Sequence, residues 1–115
     1  MKVVIQGSKS FEDYNVFMRS MAVALSSMMN DSDIEIYSVG PNKINNFVSG
    51  FVNLSEDGMR ARGKSIKKYF VPHAWVENNI EDVDYFIYLS KPGERPSRLV
   101  GQAEEADCEV GIFRY

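Results

Sequence analysis

The stretch Val3-Val4-Ile5-Gln6-Gly7-Ser8-Lys9-Ser10 decides the reading of this chain. An apolar β-branched run meets a turn of small residues and then opens into a long amphipathic segment, the order of a strand, a tight turn and a helix. A helix N-terminus leaves backbone N–H groups unpaired and carries about half a positive charge, so small residues there let an anion approach closely. Lys9 adds a cation, Ser8 and Ser10 add hydroxyls, and Gly7 allows a backbone conformation that a side chain would forbid. The same residues also suit a plain connection in which Ser10 or Asp13 caps the helix. Their spacing fits neither a Walker loop nor the Gly-x-Gly-x-x-Gly fingerprint.

Outward from that turn, Phe17, Met21, Ala24, Leu25 and Met28 recur at helical spacing from about Asp13 to Met29, and Asn30-Asp31-Ser32 ends the helix. Ile34 to Val39 reads as a second strand, stopped by Gly40-Pro41. Asn42 is placed to cap a helix whose apolar positions are Ile44, Phe47, Val48, Phe51 and Leu54. Ser55 to Ser65 reads as either a short helix or a loop, because Gly58 and Gly63 sit among charges. Ile66 to Val71 predicts a third strand ending at Pro72, and Trp75 to Ile80 a short helix closed by Asn78-Asn79. Val83 to Leu89 is a nearly continuous apolar run, as in a central strand buried on both faces. A polar loop over Lys91 to Ser97, a helix over Arg98 to Ala106 and a strand over Val110 to Phe113 complete the chain. Strands that alternate with helices predict a three-layer α/β domain with a mainly parallel five-stranded sheet, one domain over residues 1–115.

Composition narrows the function. The formal charge of −3 argues against general nucleic-acid binding, so any anion site must come from a local gathering of Lys and Arg. One cysteine, Cys108, excludes an internal disulfide and fits a reducing compartment. No apolar run approaches membrane-spanning length, and the expected location is cytoplasmic.

In a parallel sheet, ligands bind outside the carboxyl ends of the strands, near the point where strand order reverses. The loops after the predicted strands carry Gly7-Ser8-Lys9-Ser10, Gly40-Pro41-Asn42-Lys43, and Lys91-Pro92-Gly93-Glu94-Arg95-Pro96-Ser97-Arg98. Lys9, Lys43, Lys91, Arg95 and Arg98 would there make a cationic site in an acidic protein, or else simply solvate the surface. Arg60, Arg62, Lys64, Lys67 and Lys68 form a second basic cluster followed by Tyr69 and Phe70, suited to RNA phosphates, to an acidic partner or to plain solvation. Glu104, Glu105, Asp107 and Glu109 read as an exposed face.

His73 is the only histidine and Cys108 the only cysteine, so neither a His-based metal site nor a Cys-rich one is available, and both read as structural residues. Glu12, Asp13, Glu77, Asp82 and Asp84 lie near helix ends, where capping explains them. No metal, cofactor or catalytic residue is assigned.

The strand followed by Gly7-Ser8-Lys9-Ser10-Phe11-Glu12-Asp13 resembles the opening of the SLOG superfamily, the Rossmann-like group that includes the DprA and LOG proteins, in particular its YspA-like branch. Asn78-Asn79 before Val83-Asp84-Tyr85 is similar to that branch's Arg-Asn segment. The resemblance implies a Rossmann-like sheet binding a nucleotide or nucleotide-derived ligand, with Gly7, Ser8 and Lys9 as contacts, Lys9 standing where the family usually has Arg. It also brings in Gly40 and Asn79. The LOG-type Pro-Gly-Gly-x-Gly-Thr-x-x-Glu loop survives only as Pro92-Gly93, which favours binding without catalysis. The expected ligand set is therefore Gly7, Ser8, Lys9 and Ser10 from the first loop, Gly40, Asn42 and Lys43 from the second, and Asn79 with Lys91, Gly93, Arg95, Ser97 and Arg98 from the rest.

Two further functions compete. The compact length, degenerate glycine loops and basic segment suit a phage accessory protein that binds and modulates a host enzyme such as an aminoacyl-tRNA synthetase. A nucleotide glycosidic-bond hydrolase would need a carboxylate facing the site, and Glu94 is its candidate. A homo-oligomer is compatible with either.

Overall fold

The computed structural model describes residues 1–26 and 33–114. Val3 to Ile5 lie in β1 (Lys2–Gly7), which is flanked by β2 (Asp33–Gly40) and β4 (Tyr85–Ser90), with β3 (Ser65–Phe70) and β5 (Glu109–Arg114) at the edges. The order is β3-β2-β1-β4-β5 and every pair is parallel. β1 pairs Val3 with Ile36 on one side and with Tyr85 on the other. The chain winds from β1 out to β3, crosses back to β4 and runs out to β5, so strand order reverses between β1 and β4.

Helices cover both faces. α1 (Tyr14–Ser26) and α2 (Asn42–Ala61) bury Phe17, Met21, Ile44, Val48 and Phe51 against Val3, Ile5, Ile36 and Ile87. α3 (His73–Asn79), a 3-10 turn at Ile80–Asp82 and α4 (Arg98–Glu105) bury Val76, Leu99, Val100 and Ala103 against Val4, Phe86 and Tyr88. β4 is buried at all its positions, which is why its apolar run is continuous rather than alternating. The three-layer α/β class with a five-stranded parallel sheet is as expected.

Local details depart from the sequence reading. The undecided segment is helical: α2 runs on to Ala61, with Gly50 and Gly58 inside it. Gly63 at φ +72° then ends it, with Lys64 N–H donating to the Met59 carbonyl and Gly63 N–H to the Arg60 carbonyl, the paired bonds of a glycine-terminated helix. Asn42 is not the cap. Pro41 holds that position, its carbonyl accepts the Ile44 and Asn45 N–H groups, and Asn42 is the first helical residue. Leu54 is not in the core but 77% exposed, because Val52 and Phe51 already fill the inward stripe of that turn. Met28, Met29 and the helix stop at Asn30-Asp31-Ser32 lie outside the described residues.

Candidate functional site

The crossover between β1 and β4 opens a cleft of about 490 Å³, lined among others by Gly7, Ser8, Lys9, Gly40, His73 and Glu94. Its walls come from three connections. Ser8 N–H donates to the Leu89 carbonyl at 2.8 Å, which joins the end of β1 to the end of β4. A register shift between Ile5 and Gln6 sets Gln6 opposite Gly40, whose φ of +100° turns β2 into the α2 N-terminus.

The helix begins beside Asp13, as its spacing predicted, so residues 8–13 separate it from the end of β1. α1 begins only at Tyr14, after Phe11 has folded into the core at 1% exposure. Asp13 caps it: its Oδ1 accepts the Val16 N–H at 3.0 Å and its carbonyl the Phe17 N–H at 3.1 Å. An acidic cap occupies the end where an anion was expected. α2 differs, since no side chain caps it and Pro41 beside its first turn lines the cleft. Of the two helix ends beside the crossover, it is that of α2 which carries no side-chain cap.

Glu94 is the central side chain of the cleft's rim. Its carboxylate accepts the Ser8 hydroxyl at 2.8 Å, the Ser10 hydroxyl at 2.8 Å and the Lys91 N–H at 2.6 Å. The Lys91 backbone bond and the two serine hydroxyls hold its carboxyl below the usual 4.5, so it is an anion at neutral pH. The hydroxyls read as phosphate donors thus already hold a carboxylate. Burial, and then the charge of Glu94, push the Tyr88 phenol up, so Tyr88 presents a neutral hydroxyl to the cleft.

A second set of bonds runs behind Glu94. Gln6 is 6% exposed at the end of β1, where its Oε1 accepts the Ser97 hydroxyl at 2.6 Å and its Nε2 lies 3.2 Å from His73 Nε2. This chain of contacts ties β1 to the loop before α4 and to the first residue of α3. His73 thus lines the cleft. Gln6, His73 and Tyr88 were missed. The one sequence signal was a glutamine at the end of an otherwise apolar strand, where burial demands partners.

The remaining expected contacts disperse. Lys43 pairs with Glu12 at 3.1 Å, on the surface. Lys43 and then Lys91 lower the Glu12 carboxyl, and Lys91 lines a smaller neighbouring cleft with Phe11, Glu12 and Asp13. Arg98 pairs with Glu77 at 2.8 Å instead of facing a ligand. Asn79 lies at the far end of α3, donating to the Trp75 carbonyl at 2.7 Å, so its place in the ligand set is corrected to a structural one. Gly93, with φ +86°, shapes the turn that brings Glu94 inward, and Arg95 stays exposed. Lys9 and Arg95 make no ion pair among the described residues.

Of the carboxylates read as caps, Asp13 is one, whereas Asp84 accepts the Lys2 N–H at 2.8 Å and Glu12 and Glu77 form ion pairs. Cys108 is half-buried, and burial first, then the Asp84 and Glu109 charges, push its thiol up to about 11. Among the described residues no group of three or more His, Cys, Asp or Glu could hold a metal ion, and no helix is long and apolar enough to cross a membrane.

The sheet order, its reversal at β1 and β4 and the cleft there define a Rossmann-like α/β domain. No family model matches the chain, and no curated protein does. Among solved structures, the crystal structure of Mycobacterium tuberculosis shikimate dehydrogenase aligns over 98% of this chain at 10% identity, with a TM-score of 0.42. The chain spans 45% of that protein's length, and so distant a likeness carries no argument about this one.

Proposed function

We propose that the crossover cleft binds a small phosphorylated, nucleotide-like ligand without transforming it, in the manner of the SLOG proteins whose opening motif this chain resembles. One observation carries the reading: Gly7, Ser8 and Lys9 from one connection and Gly40 from another line the same cleft, beside an uncapped helix N-terminus. Lys9 supplies a cation with no internal partner among the described residues.

Catalysis has little to work with. The Ser8 hydroxyl donates to Glu94, a carboxylate held below its ordinary pKa and so a weak base, and His73 Nε2 faces the Gln6 amide rather than a hydroxyl. Glu94 is held in its charged form by three donors, which leaves a glycosidic-bond hydrolase without its acid.

A charged contact from Lys9 to phosphate contributes roughly 1.5–3 kcal/mol, so Lys9→Ala weakens nucleotide binding about tenfold or more in calorimetry. A panel of mono-, di- and cyclic nucleotides without a ligand among them would sink the reading.

A second reading is an adaptor that binds and alters a larger protein. The observation favouring it is the exposure of Leu54, Tyr69 and Phe70 beside the basic segment. A partner captured from bacterial lysate through Lys9→Ala, but lost when Arg60, Arg62 and Lys64 are neutralised, would select this reading over the first.

A further inference from the structure

The cleft leaves the β3 edge unused. β3 pairs with β2 alone, so about half of its backbone N–H and C=O groups face outward. Edge lysines commonly keep such strands from pairing, and Lys67 and Lys68 suit that purpose. Protection explains the charges but not the apolar side chains beside them. Of the six large hydrophobic side chains exposed among the described residues, two are consecutive on this strand, Tyr69 at 40% and Phe70 at 53%, and Leu54, at 77%, lies on α2, which packs over one of its faces. Two consecutive exposed rings on an open edge leave apolar surface on both of its faces, which solvation alone does not explain.

The geometry of this edge is specific. Lys68 Nζ donates to Asn53 Oδ1 at 3.2 Å, which brings the α2 turn carrying Leu54 against the edge. Ile66 packs into the core under α2, so by alternation Lys68 and Phe70 share its face and Lys67 and Tyr69 share the other. Tyr69 is held in place by stacking on Tyr37 at 4.9 Å, and Tyr37 stacks on Trp75 at 4.3 Å. Each face of the edge therefore offers a cation followed by an aromatic ring.

We infer that the β3 edge docks a protein partner through an extended segment that joins the sheet as a further strand and carries two adjacent acidic residues next to two adjacent apolar ones. Its backbone satisfies the open edge, its acidic pair meets Lys67 and Lys68, and its apolar pair meets Tyr69 on one face and Phe70 on the other. Nucleic acid fits less well. Tyr69 and Phe70 point to opposite faces and cannot stack successive bases, and the chain carries a formal charge of −3. The inference rests on the adaptor reading and is independent of the cleft.

The probes are two peptides, Thr-Glu-Glu-Val-Ile-Thr and its reverse, which cover parallel and antiparallel addition. Controls are the same peptides with a central proline, and oligo-dT. NMR should show one peptide shifting the Lys67 to Phe70 amides and slowing their exchange, with Phe70→Ala and Lys67→Glu each weakening it about tenfold. Both side chains are exposed, so an unchanged thermal melt confirms that the variants fold. Absence of shifts in β3 at about 1 mM of either peptide, equal binding of the proline controls or tighter binding of oligo-dT each overturns the inference. A lysate partner retained by Phe70→Ala and Lys67→Glu overturns this surface and leaves the adaptor reading standing. Capture of no partner by the unaltered protein removes the adaptor reading itself.

Discussion

Gly7 lines the cleft, but its strictest demand comes from the other side. A Cβ added there would lie 2.6 Å from Ile44 Cγ1 and 2.8 Å from Ile44 Cδ1, far inside contact distance. Ile44 is 0% exposed in the first turn of α2 and packed within the main core, so its side chain has nowhere to swing. Overpacking of this kind costs about 1–3 kcal/mol, and Gly7→Ala belongs at the upper end because two carbons clash. In a domain of this size that lowers the melting temperature by roughly 4–5 °C per kcal/mol. Ile44→Ala alone costs about 2–5 kcal/mol by leaving a cavity. The double variant places the new methyl in that cavity, so urea unfolding should find it at least about 1 kcal/mol more stable than the sum of the singles. Additive losses, or a Gly7→Ala loss under about 0.5 kcal/mol, would refute the claim that glycine is needed for helix-on-strand packing rather than for ligand approach.

Other perturbations test the bonds behind the cleft. Ser97→Ala leaves the buried Gln6 carbonyl without its donor and should cost about 1–3 kcal/mol in urea unfolding. The Glu94 carboxyl is lowered by folding, so its stabilisation is present above the ordinary carboxyl pKa of 4.5 and fades as pH falls through the lower folded value. Glu94→Gln should flatten the acid limb of the stability curve, and an unchanged limb would disprove the latch to Ser8 and Ser10. With its thiol near 11, Cys108 should react with iodoacetamide far more slowly than an ordinary cysteine in the native protein and at the normal rate in urea. Equal rates in the two conditions would contradict the burial.

The cleft also shows how the protein treats its own donors. Glu94 reaches from the loop after β4 to two serines in the loop after β1, so that an anion already rests on these hydroxyls. A ligand phosphate must displace that carboxylate or sit beside it, nearer Lys9 and the uncapped end of α2.

Much of this molecule was legible in its residues taken in order. The β-branched run at Val3, the fully apolar run into Leu89 and the three-and-four spacing from Phe17 mark strands and helices because burial on one face or two imposes those periods locally. Gly7, Ser8 and Gly40 could be singled out because small residues gather where strands end in turns, and Lys9 because it is the cation beside them. The partners of those residues were not legible. Ser8 and Glu94, Gln6 and Ser97, Lys43 and Glu12, and Arg98 and Glu77 are each distant in sequence or set by the packing of separate helices. A side chain's period follows from its neighbours along the chain, whereas the charge that neutralises it depends on which loops the sheet order brings together. Tertiary structure alone therefore decided that Lys9 makes no ion pair among the described residues while Lys43 and Arg98 are spent on theirs, and that the uncapped helix end belongs to α2.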